Sequence, residues 1–166
     1  MNLFRKLFKA LHQQNVRYLV VGGVAANLHG IERATGDIDL VVDLEPDNVA
    51  RFLKTAEELG LAPKVPVNLE DFADGDKRRA WREDKGMIVF SLFDPKHPYF
   101  LVDVLTEPPI DFGKAYEDRL TVDFGGIPVS TASINDLIDM KKETGRPQDE
   151  ADVYHLRMIL EGDKDE

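Results

Sequence analysis

The chain contains no cysteine among its 166 residues. Disulfides, thiolate metal sites and a cysteine nucleophile are therefore excluded. It has no apolar run near the roughly 18 residues a membrane helix needs, so no membrane insertion is expected. The opening Met1-Asn2-Leu3-Phe4-Arg5-Lys6-Leu7-Phe8-Lys9 alternates charged and apolar residues where a secretory leader would build an apolar block. A cytoplasmic protein without a leader is the corresponding expectation. Basic residues are the scarcer sign, 21 Lys and Arg against 31 Asp and Glu, for a net charge of −10. Broad DNA binding draws on many phosphate contacts and is not expected from such a surface. A local basic cleft, or a polyanion carried in with Mg²⁺, remains compatible with it. His12, His29, His97 and His155 lack the spacing of a helical zinc site. Gly22-Gly23 is not followed by a G-x-G-x-x-G pattern, which argues against a dinucleotide fold.

What is present suffices for a core. A chain of this length hides roughly 70% of its unfolded surface when it folds. No repeat or linker divides it, so residues 1–166 read as one domain. Phe4, Leu7, Phe8 and Leu11 repeat at helical spacing. Val16 to Val21 reads as a strand, Val24 to His29 as a short helix, and Asp37 to Val42 as a second strand. Pro46 suits the first residue of a helix to about Leu59, with Gly60 as its stop. Residues 63–85 read as irregular. Met87 to Phe93 and Tyr99 to Leu105 read as strands joined across Asp94 to Pro98, and Leu120–Phe124 pairs with Ile127–Ser130 around Gly125-Gly126. Ser133 caps a helix to Glu143 with Asp136 at the capping-box position, and Pro147 starts a last helix to about Leu160 before a frayed tail. The expectation is an α+β fold, a mixed β-sheet with flanking helices and a C-terminal helical pair over residues 131–160.

The chemistry gathers on carboxylates. Asp37 and Asp39 are two apart on a strand, so their side chains leave the same face. Asp103 interrupts the apolar run Phe100-Leu101-Val102-Asp103-Val104-Leu105. Three carboxylates converging at about 6 Å would repel by roughly 3 kcal/mol per pair at an effective dielectric near 20. Divalent cations relieve that repulsion and supply a phosphoryl-transfer chemistry. Oxygen-only ligands favour Mg²⁺ or Mn²⁺ over zinc. The alternative for Asp37-Ile38-Asp39 is a solvated strand edge, and for Asp103 a salt bridge.

The stretch Tyr18 to Ala26, then His29-Gly30, Arg33, Thr35 and Asp37-Ile38-Asp39, resembles the nucleotidyltransferase superfamily, with its polymerase beta-like fold. It is most similar to the small proteins grouped with the AbiEii-type toxins. The resemblance implies that Asp37 and Asp39 hold metal ions and the nucleoside triphosphate, and that Asp103 helps activate an acceptor hydroxyl. It implies that Gly22 and Gly23 let backbone N–H groups approach the phosphates. Many relatives carry serine where this chain has Gly23. The acceptor is a protein, a tRNA end or a small molecule, and a toxin–antitoxin role follows from resemblance alone. The rival expectation is a catalytically idle member that binds a protein partner.

The resemblance resumes at Asp136-Leu137-Ile138-x-x-Lys141 and Gly145-Arg146-Pro147-x-Asp149-x-x-Asp152. It implies that Lys141 and Arg146 meet the triphosphate. By spacing, Lys141 lines up with the buried Ile134, Leu137 and Ile138, and Asp152 with Val153 and Leu156. The alternative is that Lys141 and Asp152 pair with each other. Lys77-Arg78-Arg79-Ala80-Trp81-Arg82 is a basic cluster with an aromatic, suited either to RNA contact or to a solvated helix face.

Overall fold

A computed structural model describes residues 3–31, 36–144 and 147–165. Arg33, Thr35, Gly145, Arg146 and the side chain of Asp149, named above from the sequence, lie outside what it describes. Helix α1 (Leu3–Gln13) buries Leu7, Phe8 and Leu11, the stripe its periodicity predicts. Strand β1 (Tyr18–Val21) is buried at every position and runs directly into α2 (Gly22–Leu28). Strand β2 (Asp37–Val42) alternates half-buried carboxylates with buried Ile38 and Leu40 before its fully buried end. Helix α3 (Pro46–Glu58) begins where Pro46 presets the backbone and the Glu45 carboxylate accepts the N–H groups of Asp47 and Asn48.

Strand β3 (Ala62–Pro63), a 3₁₀ helix (Leu69–Ala73) and α4 (Gly75–Lys85) occupy the stretch expected to be irregular. The difference has local causes. Asp74 caps α4 by accepting the N–H groups of Asp76 and Lys77, and Gly86 closes it in the left-handed conformation. With Trp81 its one buried residue, α4 has too little apolar repeat for periodicity to reveal it. Strands β4 (Val89–Asp94) and β5 (His97–Leu105) form a hairpin with a tighter turn than expected. Helix α5 (Phe112–Glu117) was not anticipated. Strands β6 (Leu120–Phe124) and β7 (Ile127–Thr131) precede α6 (Ile134–Thr144) and α7 (Pro147–Asp165). The Ser133 hydroxyl accepts the Asp136 N–H at 3.2 Å, as a cap should. Helix α7 continues through the tail expected to fray.

The described strands make one mixed sheet in the order β3-β4-β5-β2-β1-β7-β6. The β2–β5 and β1–β7 pairs are parallel and the others antiparallel. Against β4, Phe52, Phe72, Phe90 and Trp81 form an aromatic file with ring separations of 6.1, 5.3 and 5.2 Å. All four are buried, and truncating one of the phenylalanines would cost about 3–5 kcal/mol. Ile38, Leu40, Phe90, Leu92, Val102 and Val104 are also fully buried, which fixes the register of β2, β4 and β5. Alternation sends their polar neighbours to the other face.

Candidate active site

The site follows from that register. Asp39 pairs with Asp103 across the parallel β2–β5 ladder, and Asp37 pairs with Leu101. Residues in register share a face. The three carboxylates therefore leave the same side of the sheet, each half-buried. On the far side of β5, Asp103 pairs with Ser91 of β4, whose hydroxyl donates to the Asp103 carboxylate at 2.7 Å. On the near side of β2, Asp39 pairs with Val21, the last residue before the glycines.

Gly22 makes the corner possible for two reasons. Its φ is +68°, a conformation that side-chain-bearing residues rarely adopt. A Cβ placed there would also overlap the Oδ2 oxygen of Asp39. The carboxylate thus rests against bare backbone at the start of α2, where no side chain caps the helix.

Burial, first, and then the charge of Asp37 push the Asp103 carboxyl above its ordinary range. The Ser91 hydrogen bond and the charge of Lys64 act in the opposite direction without cancelling the rise. The donors are all oxygens, which suits a hard divalent cation. Among the described residues, however, no group of three His, Asp or Glu side chains is drawn together to ion-binding spacing. The sheet sets the carboxylates side by side, and contraction onto an ion would be a further step.

Lys141 is placed differently. Its Nζ lies 2.9 Å from Asp152 Oδ2, with both side chains 7% exposed. The pair joins α6 to α7, the alternative that the spacing had left open. A cavity of about 370 Å³ lies beside it, lined by Lys141, Lys142, Glu150, Val153, Tyr154 and Arg157. None of the carboxylate row lines it. Helix α6 also packs against α2, and His29 at the end of α2 sets its Nε2 2.8 Å from the Ala132 carbonyl.

The basic cluster of α4 is largely occupied by the fold. Trp81 is core, Lys77 pairs with Asp71, Arg79 with Asp76 and Arg82 with Glu107, while Arg78 donates to the Phe72 carbonyl. Reasoning from the sequence missed Ser91 and Lys64. The pattern Phe90-Ser91-Leu92 shows that Ser91 lies on the polar face, but not that it meets Asp103.

A family described as nucleotidyltransferase of unknown function (DUF6036) matches residues 1–165. No curated protein sequence matches the chain. Among solved structures, the fold is similar to that of the lincosamide antibiotic adenylyltransferase LnuA with lincomycin bound (TM-score 0.60, 15% identity, 93% of this chain and 96% of that one). It is similar to a putative nucleotidyltransferase from Thermotoga maritima (TM-score 0.58, 16% identity, 96% and 91%). It is also similar to ANT(2″)-Ia in complex with adenylyl-2″-tobramycin (TM-score 0.57, 17% identity, 98% and 90%). At these identities the likeness carries the fold.

Proposed function

Because the chain belongs to the DUF6036 nucleotidyltransferase family, we propose that it moves a nucleoside monophosphate from a nucleoside triphosphate to an acceptor hydroxyl. The observation behind this reading is the Asp39–Asp103 register beside Gly22. It gathers like charges on one face at a place where backbone can approach a phosphate. Asp37, Asp39 and Asp103 are the residues that would hold Mg²⁺ or Mn²⁺. The ion would supply charge neutralisation for the triphosphate and the transition state.

The chain's own groups then divide the work. Gly22 and Gly23 offer backbone N–H groups to the phosphates. Asp103, held by Ser91, takes the acceptor hydroxyl's proton. The freed oxygen bonds to the α-phosphorus, the bond from that phosphorus to the β-phosphate oxygen breaks, and pyrophosphate leaves. Lys141 and Arg146 are assigned to the triphosphate, with Lys141 steadied by Asp152. Packing of α6 on α2 supports the assignment of Lys141. The lincomycin and tobramycin named for two structural neighbours favour a small-molecule acceptor over a protein or a tRNA. The family match supports the reaction class and selects no acceptor.

Calorimetry with ATP, GTP, CTP and UTP in Mg²⁺ tests the reading, repeated on Asp39→Asn. One triphosphate should bind, and the variant should lose it. Failure of all four to bind a folded protein sinks the proposal. A second reading, an idle member acting as a binding partner, draws on the carboxylates' standing apart from ion-binding spacing. Labelled triphosphate incubated with cell extract separates the two: a labelled product that disappears in Asp39→Asn excludes the idle protein.

A further inference from the structure

The carboxylates are the middle of a longer polar row. On one side of Asp103 lie Asp39 and the Gly22 corner, and on the other lies Ser91. Beyond Ser91 the sheet ends at β3, where Pro63 pairs with Leu92. The next residue, Lys64, donates its backbone N–H to the Ser91 carbonyl at 2.9 Å. That bond continues the ladder by one residue and sets Lys64 in register with Ser91, on the face that carries Asp103. Lys64 is exposed, makes no ion pair among the described residues, and is close enough to act electrostatically on Asp103.

The row therefore has two ends of opposite character. The Gly22 end is backbone and carboxylate, and under the proposed function it receives the triphosphate. The acceptor hydroxyl must reach Asp103 from elsewhere, and the other direction along the row runs over β4 toward the β3 edge. A face with three carboxylates repels an anionic acceptor, and a cation at that edge opposes the repulsion.

We propose that Lys64 is a specificity-determining residue that receives an anionic group, a phosphate or carboxylate, carried by the acceptor. Neighbouring strands are about 4.8 Å apart, so β3 and β5 are separated by about 10 Å. The acceptor is then a compound whose anionic group lies within about 10 Å of its reacting hydroxyl. This inference rests on the transferase reading and deepens it.

The test uses uniformly ¹⁵N-labelled full-length protein saturated with Mg²⁺ and a non-hydrolysable ATP analogue. Inorganic phosphate and, separately, acetate are titrated in while the amide signals of Lys64, Ser91, Gly22 and Gly23 are followed. A saturable shift at Lys64 and Ser91 is expected, weakened about tenfold in Lys64→Ala and retained in Lys64→Arg, a change of about 1.4 kcal/mol. The stronger of the two anions identifies the group carried by the acceptor. No shift at Lys64 with either anion, or equal affinity in Lys64→Ala, overturns the inference. Phosphate that moves only Gly22 and Gly23 overturns it as well, since the anion then occupies the triphosphate corner. If the analogue itself leaves Gly22 and Gly23 unmoved, the transferase reading falls first and this inference falls with it.

Discussion

Two regions place charge against apolar surroundings, and they do so in opposite ways. Between α6 and α7, Lys141 and Asp152 neutralise each other at 2.9 Å. On β2 and β5, Asp37, Asp39 and Asp103 share a face, with the Ser91 hydroxyl on Asp103. The first arrangement sets opposite charges together inside the fold. The second sets three carboxylates on one face, where burial and the charge of Asp37 raise the proton affinity of Asp103, an arrangement a bound cation would relieve. Opposite charges paired at close range read as structure, and like charges gathered on one face read as a candidate site for a cation and a polyphosphate.

The largest expected effect attacks the balanced region. Asp152→Ala removes the carboxylate 2.9 Å from a buried ammonium, and urea titration should show a loss of about 3–5 kcal/mol. The double replacement Lys141→Met with Asp152→Leu should recover most of that loss. Triphosphate calorimetry on the double variant then sharpens the comparison. Retained affinity makes the pair purely a clasp, and lost affinity assigns Lys141 to the phosphates.

Next comes the carboxylate region. Asp39→Asn should lower transfer about 10²–10³-fold, roughly 3–4 kcal/mol in the barrier, while its melting temperature stays level or rises. A fall in both would make Asp39 a structural residue and break the contrast.

A third effect calibrates burial without charge pairing. Tyr18 is 2% exposed, and burial pushes its hydroxyl up to about 12 from 10.0. Its folded value lies above its unfolded one, so this stability is complete below pH 10 and is lost as pH rises toward 12. The loss should be about 2–3 kcal/mol. Tyr18→Phe should flatten that alkaline limb in pH-dependent unfolding.

The smallest effect is a gain. Asp103→Asn keeps an acceptor for Ser91 and removes one of three like charges. Because the Asp103 value is raised, the wild-type protein loses stability as pH climbs through it. The variant should match the wild type in acid and exceed it at neutral pH without Mg²⁺, by about 1 kcal/mol or 2–4 °C. Added Mg²⁺ should close the gap.

The sequence revealed those parts whose physics is local. Alternation placed Asp37 and Asp39 together on β2, the apolar run singled out Asp103, and helical spacing turned Lys141 and Asp152 toward the core. What escaped depends on distant pairing. Nothing within Phe90-Ser91-Leu92 predicts a hydrogen bond to Asp103, and nothing near Lys64 predicts its place at the end of the row. Helix α4 escaped for a different reason: Trp81 supplies its core contact almost alone, so no period shows. The Lys141–Asp152 alternative could be named but not chosen, because spacing gives direction and not distance.

The parallel β2–β5 pairing has a kinetic consequence. Asp39 and Asp103 are neighbours in the sheet but are separated along the chain by α3, β3, the 3₁₀ helix, α4 and β4. The β4–β5 and β6–β7 hairpins close short loops, whereas this pairing must close a long one, which is slow. The carboxylates are therefore expected to meet late, after much of the chain is ordered. A cation that binds them should slow unfolding more than it speeds folding. Chevron plots with and without Mg²⁺ would show one arm moving and the other nearly still, timing the assembly of the site within the folding reaction.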